Sequence, residues 1–558
     1  MSWILGIIII LILLFIITNF RKKKSLRKIK NDLINNWGKH KKKDEFHFGS
    51  IEKYFQNNNQ KEKAFHIISD RCASDLDINE TFKIIDRTSS KIGQQFLYCK
   101  LRTIENQDKL MKFNILVLLF EKNQNLRLKT QLELSKLNSN DYYNFEDLVT
   151  SKPVKKPKIL WLIYTLTGLS TSFILLGIFF PIFFIFLIPI LALNMAFHYK
   201  NKWNVSNYLD GVSQLSKALN VSKKIASFQE VKHHFPNTSF IKEIEKIKLK
   251  TAFISFEKNI DNEFASVVWL ISEFIKVLFN LEYLIFYSFI GSITTKREEL
   301  KKMFHFIGEI DSAISNASLK ASDYNLCSPE FTEDKEIKVK EISHPLIKNC
   351  VVNDLSLTNK SLLLTGSNMS GKTTFIRSIS INSILAQTLN ICFAKEYIAP
   401  FFKIYSSIKI TDDLLENTSY YLEEVLTIKK LIDVSKSKIP HLFVLDEIFK
   451  GTNTIERISG GKAILSYLNK GKNIVLVSTH DIELTDILSK ENFELFHFSE
   501  QVENNKLNFD YKLKEGELKT RNAIKILELY NYPSEVIKDA RTTEKITFAN
   551  TGNRCTRL

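Results

Sequence analysis

The chain is short of the residues that break structure. It has 17 glycines and 10 prolines in 558 residues, which excludes collagen-like repeats and long Gly/Pro-rich disorder. Its six cysteines, Cys72, Cys99, Cys327, Cys350, Cys392 and Cys555, are scattered and form no C-x-x-C pair. That argues against zinc or dithiol chemistry and for reduced thiols in a cytosolic setting. Charge is missing altogether from two long stretches. Trp3–Phe20 is 18 residues and Ile159–Phe197 is 39 residues, neither holding an ionisable Asp, Glu, Lys or Arg. A length of 558 residues with 44% hydrophobic content predicts more than one domain with ample cores.

The net charge of +17 is unevenly placed. Residues 21–43 carry 11 Lys and Arg against one Asp, whereas Ser361 to the C-terminus carries 26 against 24 acids. The excess therefore sits beside a hydrophobic segment, where anionic lipid explains it better than nucleic acid does.

Trp3–Phe20 is near the ~20 residues needed to cross a bilayer. Its basic cluster follows the apolar run and no small-residue cleavage site is seen, so an uncleaved anchor over 1–20 is expected in preference to a signal peptide. The run 159–197 would measure about 58 Å as helix, enough for two crossings, with Gly177 and Pro181 marking a turn. Lys152, Lys155, Lys156 and Lys158 before it and Lys200 and Lys202 after it place both ends on the cytoplasmic side, and the anchor agrees. A re-entrant pair or one long buried helix is the alternative. Ser266–Ile293 is apolar but holds Glu273, Lys276 and Glu282, and is read as a buried or amphipathic helix of a soluble domain in preference to a third membrane element.

Residues 21–75 read as a basic juxtamembrane linker with one or two short helices. Periodicity predicts helices over 76–150 and long lever-like helices over 200–335. From about Ile337 short β-type runs alternate with helices: Ser361–Thr365, His441–Leu445 and Asn473–Val477. That predicts an α/β domain with a mostly parallel sheet over 336–545. Phe493–Phe498 and Lys506–Lys512 read as a hairpin, Lys519–Leu529 as the last helix, and 546–558 as a loose tail.

Gly366-Ser-Asn-Met-Ser-Gly-Lys-Thr373 fits G-x-x-x-x-G-K-[ST] between a strand-like and a helix-like segment. Glycines let backbone N–H groups wrap phosphate at a helix N-terminus. The predicted nucleotide contacts are Gly366, Ser367, Asn368, Met369, Ser370, Gly371, Lys372, Thr373 and Thr374. Lys372 reaches the β- and γ-phosphates, and the Thr373 hydroxyl holds Mg²⁺. The apolar strand His441–Leu445 ends in Asp446 and Glu447. Asp446 is placed to hold Mg²⁺ through water and Glu447 to orient the attacking water; two solvated acids at a strand end is the plainer reading. A second strand ends in Ser478-Thr-His480-Asp481, and His480 is either a γ-phosphate sensor or structural. Asp412–Glu424 has no obvious chemistry of its own and is read as a polar turn capping a helix over Ser419–Val434. Gly451–Thr454 is a small polar loop able to face a partner subunit.

Together these motifs resemble the MutS mismatch-repair ATPases, a branch of the ABC-type fold. T-G-S-N-M-S-G-K-T-T is close to that family's T-G-x-N-M-[GS]-G-K-[ST]-T. D-E-I-F-K-G-T-N-T resembles D-E-[IL]-G-R-G-T-S-T, and S-T-H resembles A-T-H. Ile342–Leu346 carries the family's H-P, Ile307–Ala313 with Tyr324 and Pro329–Phe331 resembles its last lever helix and exit, and Phe82–Gly93 resembles the start of its core domain. The resemblance implies an α plus α/β chain: membrane helices, a helical lever and core region, and a C-terminal ABC-type P-loop ATPase. It also implies a homodimer, with Ser419 reaching the partner's γ-phosphate, and ATP and Mg²⁺ as ligands. Lys450 stands in place of arginine, and Phe449 and Asn417 in place of glycines, which bears on the hydrolysis rate. About 55 residues between anchor and core leave no room for a mismatch-reading domain, and the C-terminal dimerisation helices look shortened.

Two functions follow as expectations. One is a membrane-anchored MutS-like ATPase acting on DNA in mismatch repair or recombination, at the inner membrane with its soluble domains in the cytoplasm. The other is an ATP-switched membrane scaffold or transport-like module with no DNA role.

Overall fold

In a computed structural model, the residues described are 20–41, 46–58, 62–150, 158–246, 273–409, 420–449 and 452–552, less 22, 282, 285–286, 288–293, 368, 504–505 and 519–522. The N-terminal run 1–19 and Ser419 thus lie outside the described residues. The chain forms two compact units. The first comprises Met1–Ala64, Phe82–Thr103 and Asp108–Asp323; the second comprises Phe65–Thr81, Ile104–Gln107 and Tyr324–Leu558. The mixture of long helices and sheets agrees with the expected α plus α/β class.

The first unit is helical. Helices α1 (Lys91–Arg102) and α2 (Leu160–Phe179) are followed by α3 (Leu187–Ala226) and α4 (Arg297–Lys320). Ser90 caps α1 by accepting from the Gly93 N–H at 2.9 Å. The buried Asp311 of α4 accepts from the Ser89 N–H, the Ser90 N–H and the Ser90 hydroxyl at 2.8, 2.8 and 2.6 Å. Burial still pushes its carboxyl up to about 6, against those bonds. A Cβ at Gly93 would lie 2.1 Å from Asp311 Oδ2, and one at Gly308 would lie 2.3 Å from the Phe96 ring. The two stretches resembling the family's core start and last lever thus meet through a glycine on each.

α2 and the start of α3 form the expected apolar hairpin. Its turn is a short 3₁₀ segment, Pro181–Phe186, and a Cβ at Gly177 would meet the Phe184 ring at 2.7 Å. Leu160–Phe179 and Pro181–Lys200 are each long and apolar enough to cross a membrane. Trp161, Ile178, Phe179 and Ile188 are two-thirds exposed or more. α3 runs 40 residues from the hairpin into the lever region without a break, about 60 Å. Pro189 is tolerated in its first turn, where an N–H has no intrahelical partner.

Three expectations are revised or sharpened here. The described part of 266–293, expected as a buried or amphipathic helix, is helical over 273–278 and lies against the hairpin. Asn280 takes a left-handed φ of 49° and ends the helical stretch. The freed carbonyls of Leu278 and Phe279 accept from Asn194 Nδ2 (2.9 Å) and the Thr167 hydroxyl (3.0 Å). Asn280 Nδ2 returns a bond to Asn194 Oδ1 at 2.6 Å, and Glu273 lies 3.1 Å from His198 Nε2. Tyr283 and Tyr287 pack on Ile163. Hairpin side chains thus satisfy the polar groups that made this segment look soluble. Second, part of 21–75, from Ile51 on, is core. Tyr54 is buried beside Phe304, at 4.3 Å between ring centroids, and its hydroxyl meets His305 Nε2 at 2.9 Å. Third, the tail begins later than 546, because the C-terminal helix runs Ser534–Gly552.

The two larger sheets both lie in the second unit. The smaller of them contains β1 (Glu330–Thr332), β2 (Glu336–Ile342), β3 (Asn353–Thr358) and β5 (Glu396–Pro400), in the order β1-β5-β2-β3. The larger is built on β4 (Ser361–Thr365), all of it buried. After β5 (Glu396–Pro400) come β6 (Lys403–Ser407), β7 (His441–Asp446), β8 (Ile474–Thr479) and β9 (Phe493–His497). They align in parallel as β9-β4-β8-β7-β6, with Leu362↔Leu476 and Ser478↔Asp446 in register. β9 belongs to this sheet; the hairpin expected to include it pairs Glu500–Glu503 with Lys506–Phe509 instead. Phe493 and Phe496 are buried, so their strand is drawn into the core. Residues 65–81, expected as linker and core start, are stitched to the edge strand β6. The buried Asp75 carboxylate accepts from the Ser406 hydroxyl and from the Ile408 and Lys409 N–H groups at 2.7, 3.1 and 2.8 Å. Helices α5 (Lys372–Leu389), α6 (Tyr420–Ser435) and α7 (Thr454–Leu468) complete the unit.

Candidate nucleotide-binding site

Parallel register brings the carboxyl ends of β4, β7 and β8 side by side, the place where open α/β sheets bind ligands. The loop after β4 turns on Gly366 (φ 152°) and Gly371 (φ 104°). A Cβ on Gly366 would sit 2.8 Å from the Phe498 carbonyl oxygen. Met369 holds φ 69° at the exposed crest, a strained conformation for a non-glycine residue. Asn368 lies outside the described residues. Ser367 donates to Glu500 Oε2 at 2.6 Å. The Ser370 hydroxyl is buried and has no hydrogen-bond partner among the described residues. It and the N-terminus of α5, capped by Gly371, suit an anion.

Lys372 is buried and donates to the Gly366 and Ser367 carbonyls at 2.7 and 2.9 Å, with His480 Nε2 at 3.3 Å. The Thr373 hydroxyl donates to Asp446 Oδ2 at 2.8 Å, and Ser478 binds the other carboxylate oxygen. Thr374, in the first turn of α5, lines the same cavity of about 760 Å³. Glu447 has φ 55°, its N–H donates to the Ser478 carbonyl at 2.9 Å, and its Oε1 lies 2.9 Å from His480 Nε2. All the predicted residues that are described therefore converge. Their chemistry fits a triphosphate with a hard cation: one buried ammonium, a hydroxyl–carboxylate pair, and a carboxylate beside an imidazole.

A match to MutS domain V covers residues 362–547. The DNA mismatch repair protein MutS of Listeria welshimeri is 33% identical over 272 residues, which is 47% of this chain and 31% of that protein. Those of Staphylococcus haemolyticus and Staphylococcus aureus are each 30% identical, over 273 and 272 residues, with the same coverage. Residues 362–547 carry a MutS domain V. The chain aligns with about a third of the length of these curated relatives.

One departure from the family's motifs has local contacts that hold it in place. Phe449, at a glycine position of MutS proteins, holds φ 59°. Its N–H donates to the buried Glu424 of α6, and its ring packs beside Tyr421 and against the open face of Gly460. Lys450, Gly451 and Asn417 lie outside the described residues. His344 of the H-P pair is buried and accepts from the Leu346 N–H at 3.3 Å, which makes it a structural residue. The apolar part of the cavity lining was missed by sequence reasoning. Ile342, Ile347, Val351, Phe375 and Tyr511 form it, and Tyr511 takes a left-handed φ of 52° over Gly371. These residues come from four separate segments with no shared motif. Only the H-P segment, which carries Ile342 and precedes Ile347, was a signal.

Proposed function

We propose that this MutS-family chain is an ATPase whose sites are completed between two copies, and that its first unit holds it in the cytoplasmic membrane. The observation that carries the ATPase reading is the convergence of Lys372, the Thr373–Asp446 pair and the Glu447–His480 pair at adjacent strand ends. The loop N–H groups and the α5 N-terminus receive the phosphates. Lys372 exchanges two carbonyl partners for β- and γ-phosphate oxygens, a stronger charge-assisted pairing. Thr373 and Asp446 would hold Mg²⁺, which when bound neutralises charge across the β- and γ-phosphates. Glu447 orients the water and takes its proton. His480, relieved of Lys372, steadies Glu447 and the γ-phosphate side. The Ser419 hydroxyl of the second copy closes the site.

The exposed apolar hairpin and the basic run 21–43 support membrane placement next to anionic lipid. The relatives' name, DNA mismatch repair protein MutS, supports a DNA-linked role in repair or recombination. The near-neutral charge of the region after Ser361 favours the second reading, an ATP-switched membrane scaffold without DNA. Full-length protein in detergent, wild type and Glu447→Gln, tests both. The expected result is ATP turnover that falls about 100-fold or more in the variant while ATP binding persists. Equal rates overturn the ATPase reading. Stimulation by duplex, mismatched or branched DNA that fades with salt selects the DNA role, and indifference to all three selects the scaffold.

A further inference from the structure

Helix α7 reaches the end of β8 through one side chain. Arg457, one turn into α7, grips the Asp481 carboxylate with both arms of its fork: Nε to Oδ2 at 2.8 Å and Nη2 to Oδ1 at 2.7 Å. Asp481 directly follows His480, and its N–H donates to the Thr479 hydroxyl at 3.0 Å. The backbone is therefore held on both sides of His480, by the β8 ladder before it and by Arg457 after it. A two-bond fork fixes orientation as well as distance.

The His480 ring needs that control. Glu447 Oε1 at 2.9 Å asks its Nε2 to donate, and Lys372 Nζ at 3.3 Å asks the same nitrogen to accept. A neutral ring satisfies one at a time, so small shifts decide which. Arg457 is also the cation that faces Asp481, Glu447 and Glu483 at this edge. One turn before Arg457, α7 is started by Asn453, which accepts from the Glu456 N–H at 3.0 Å, while Thr452 donates to Glu456 Oε2 at 2.7 Å. These belong to the loop expected to face a second copy.

We propose that Arg457 is a positioning residue: through Asp481 it sets the aim of the His480 ring and ties that ring to the partner-facing start of α7. The inference rests on the hydrolysis proposed above. A plain surface ion pair would contribute little and would leave kinetics alone.

The test uses full-length protein in lipid nanodiscs with Arg457→Gln, Arg457→Lys, Asp481→Asn and the Gln/Asn double variant. The Arg457→Gln and Asp481→Asn proteins are expected to lose about 10- to 100-fold in kcat, with KM for ATP within about threefold. Arg457→Lys should recover part of the loss, and the double variant should be no worse than the singles. ATP binding at wild-type affinity serves as the check that each variant is folded. Unchanged kcat in Arg457→Gln overturns the inference, as does a double variant whose losses multiply. Wild-type protein without Glu447-dependent turnover overturns the ATPase reading itself. Glu447-dependent turnover indifferent to Arg457 overturns only the role of Arg457.

Discussion

The Thr373 hydroxyl donates to Asp446 Oδ2 at 2.8 Å, joining the first turn of α5 to the end of β7. A hydroxyl and a carboxylate already that close form half of an oxygen cage for a small dication. Thr373→Ala or Asp446→Asn should raise the Mg²⁺ concentration for half-maximal turnover about tenfold or more. A magnesium titration of ATPase activity at saturating ATP measures this; unchanged curves would place the metal elsewhere.

Gly93 is the tightest point of the helical unit. A methyl there would sit 2.1 Å from Asp311 Oδ2 and force a fully buried carboxylate away from the Ser89 and Ser90 donors. Gly93→Ala should cost about 3 kcal/mol or more, since overpacking and an unpaired buried charge act together. Urea unfolding of this unit, followed by tryptophan fluorescence, should show the lower midpoint.

Three buried groups should answer acid with opposite signs. Burial lowers His66 and His344 to about 4, from an ordinary value of 6.5. Between those values the unfolded chain binds the proton and the folded one does not. Each histidine therefore leaves stability intact above 6.5 and removes about 3 kcal/mol as pH falls toward 4. Burial raises Asp311 to about 6 from 3.8, so there the folded state binds the proton first and gains as pH falls through 6. Hydrogen exchange across pH 6.5 to 4 should show protection falling around residues 344 and 404 and the opposing contribution near residue 311. His66→Gln should flatten the first trend.

Asn194 is the polar hub of the hairpin. Asn194→Leu strips partners from the Leu278 carbonyl and from Asn280, and should cost about 1–3 kcal/mol for each buried group. Thermal unfolding in detergent gives the number. The wild-type chain should remain with the membrane pellet after alkaline carbonate extraction. Release into the soluble fraction would remove the case for spanning helices.

What the sequence disclosed was local. The phosphate loop, Asp446–Glu447 and His480 are contiguous motifs on strands whose apolar runs are unmistakable, so their assembly followed from parallel register alone. What it hid was distant pairing. Asp75 looked like linker because its donors stand more than 300 residues away on β6 and the loop after it. Glu273 and Lys276 looked like marks of a soluble helix because nothing nearby in sequence announced His198. The apolar part of the cavity lining is assembled from single side chains, which carry no pattern beyond that of any core.

Asn194 also sets a schedule. Its amide is engaged by the carbonyl of Leu278 and by Asn280, residues made 84 and 86 positions later. While the hairpin alone has emerged from the ribosome, that amide has only Ser170 for company. In the proposed bilayer an unanswered amide is costly, so the hairpin is an unfinished object until the segment around 273–280 arrives. In that proposed placement, membrane insertion and completion of the lever region become one event in time, and a chain halted between them would present a lone polar group to whatever machinery inspects newly inserted helices.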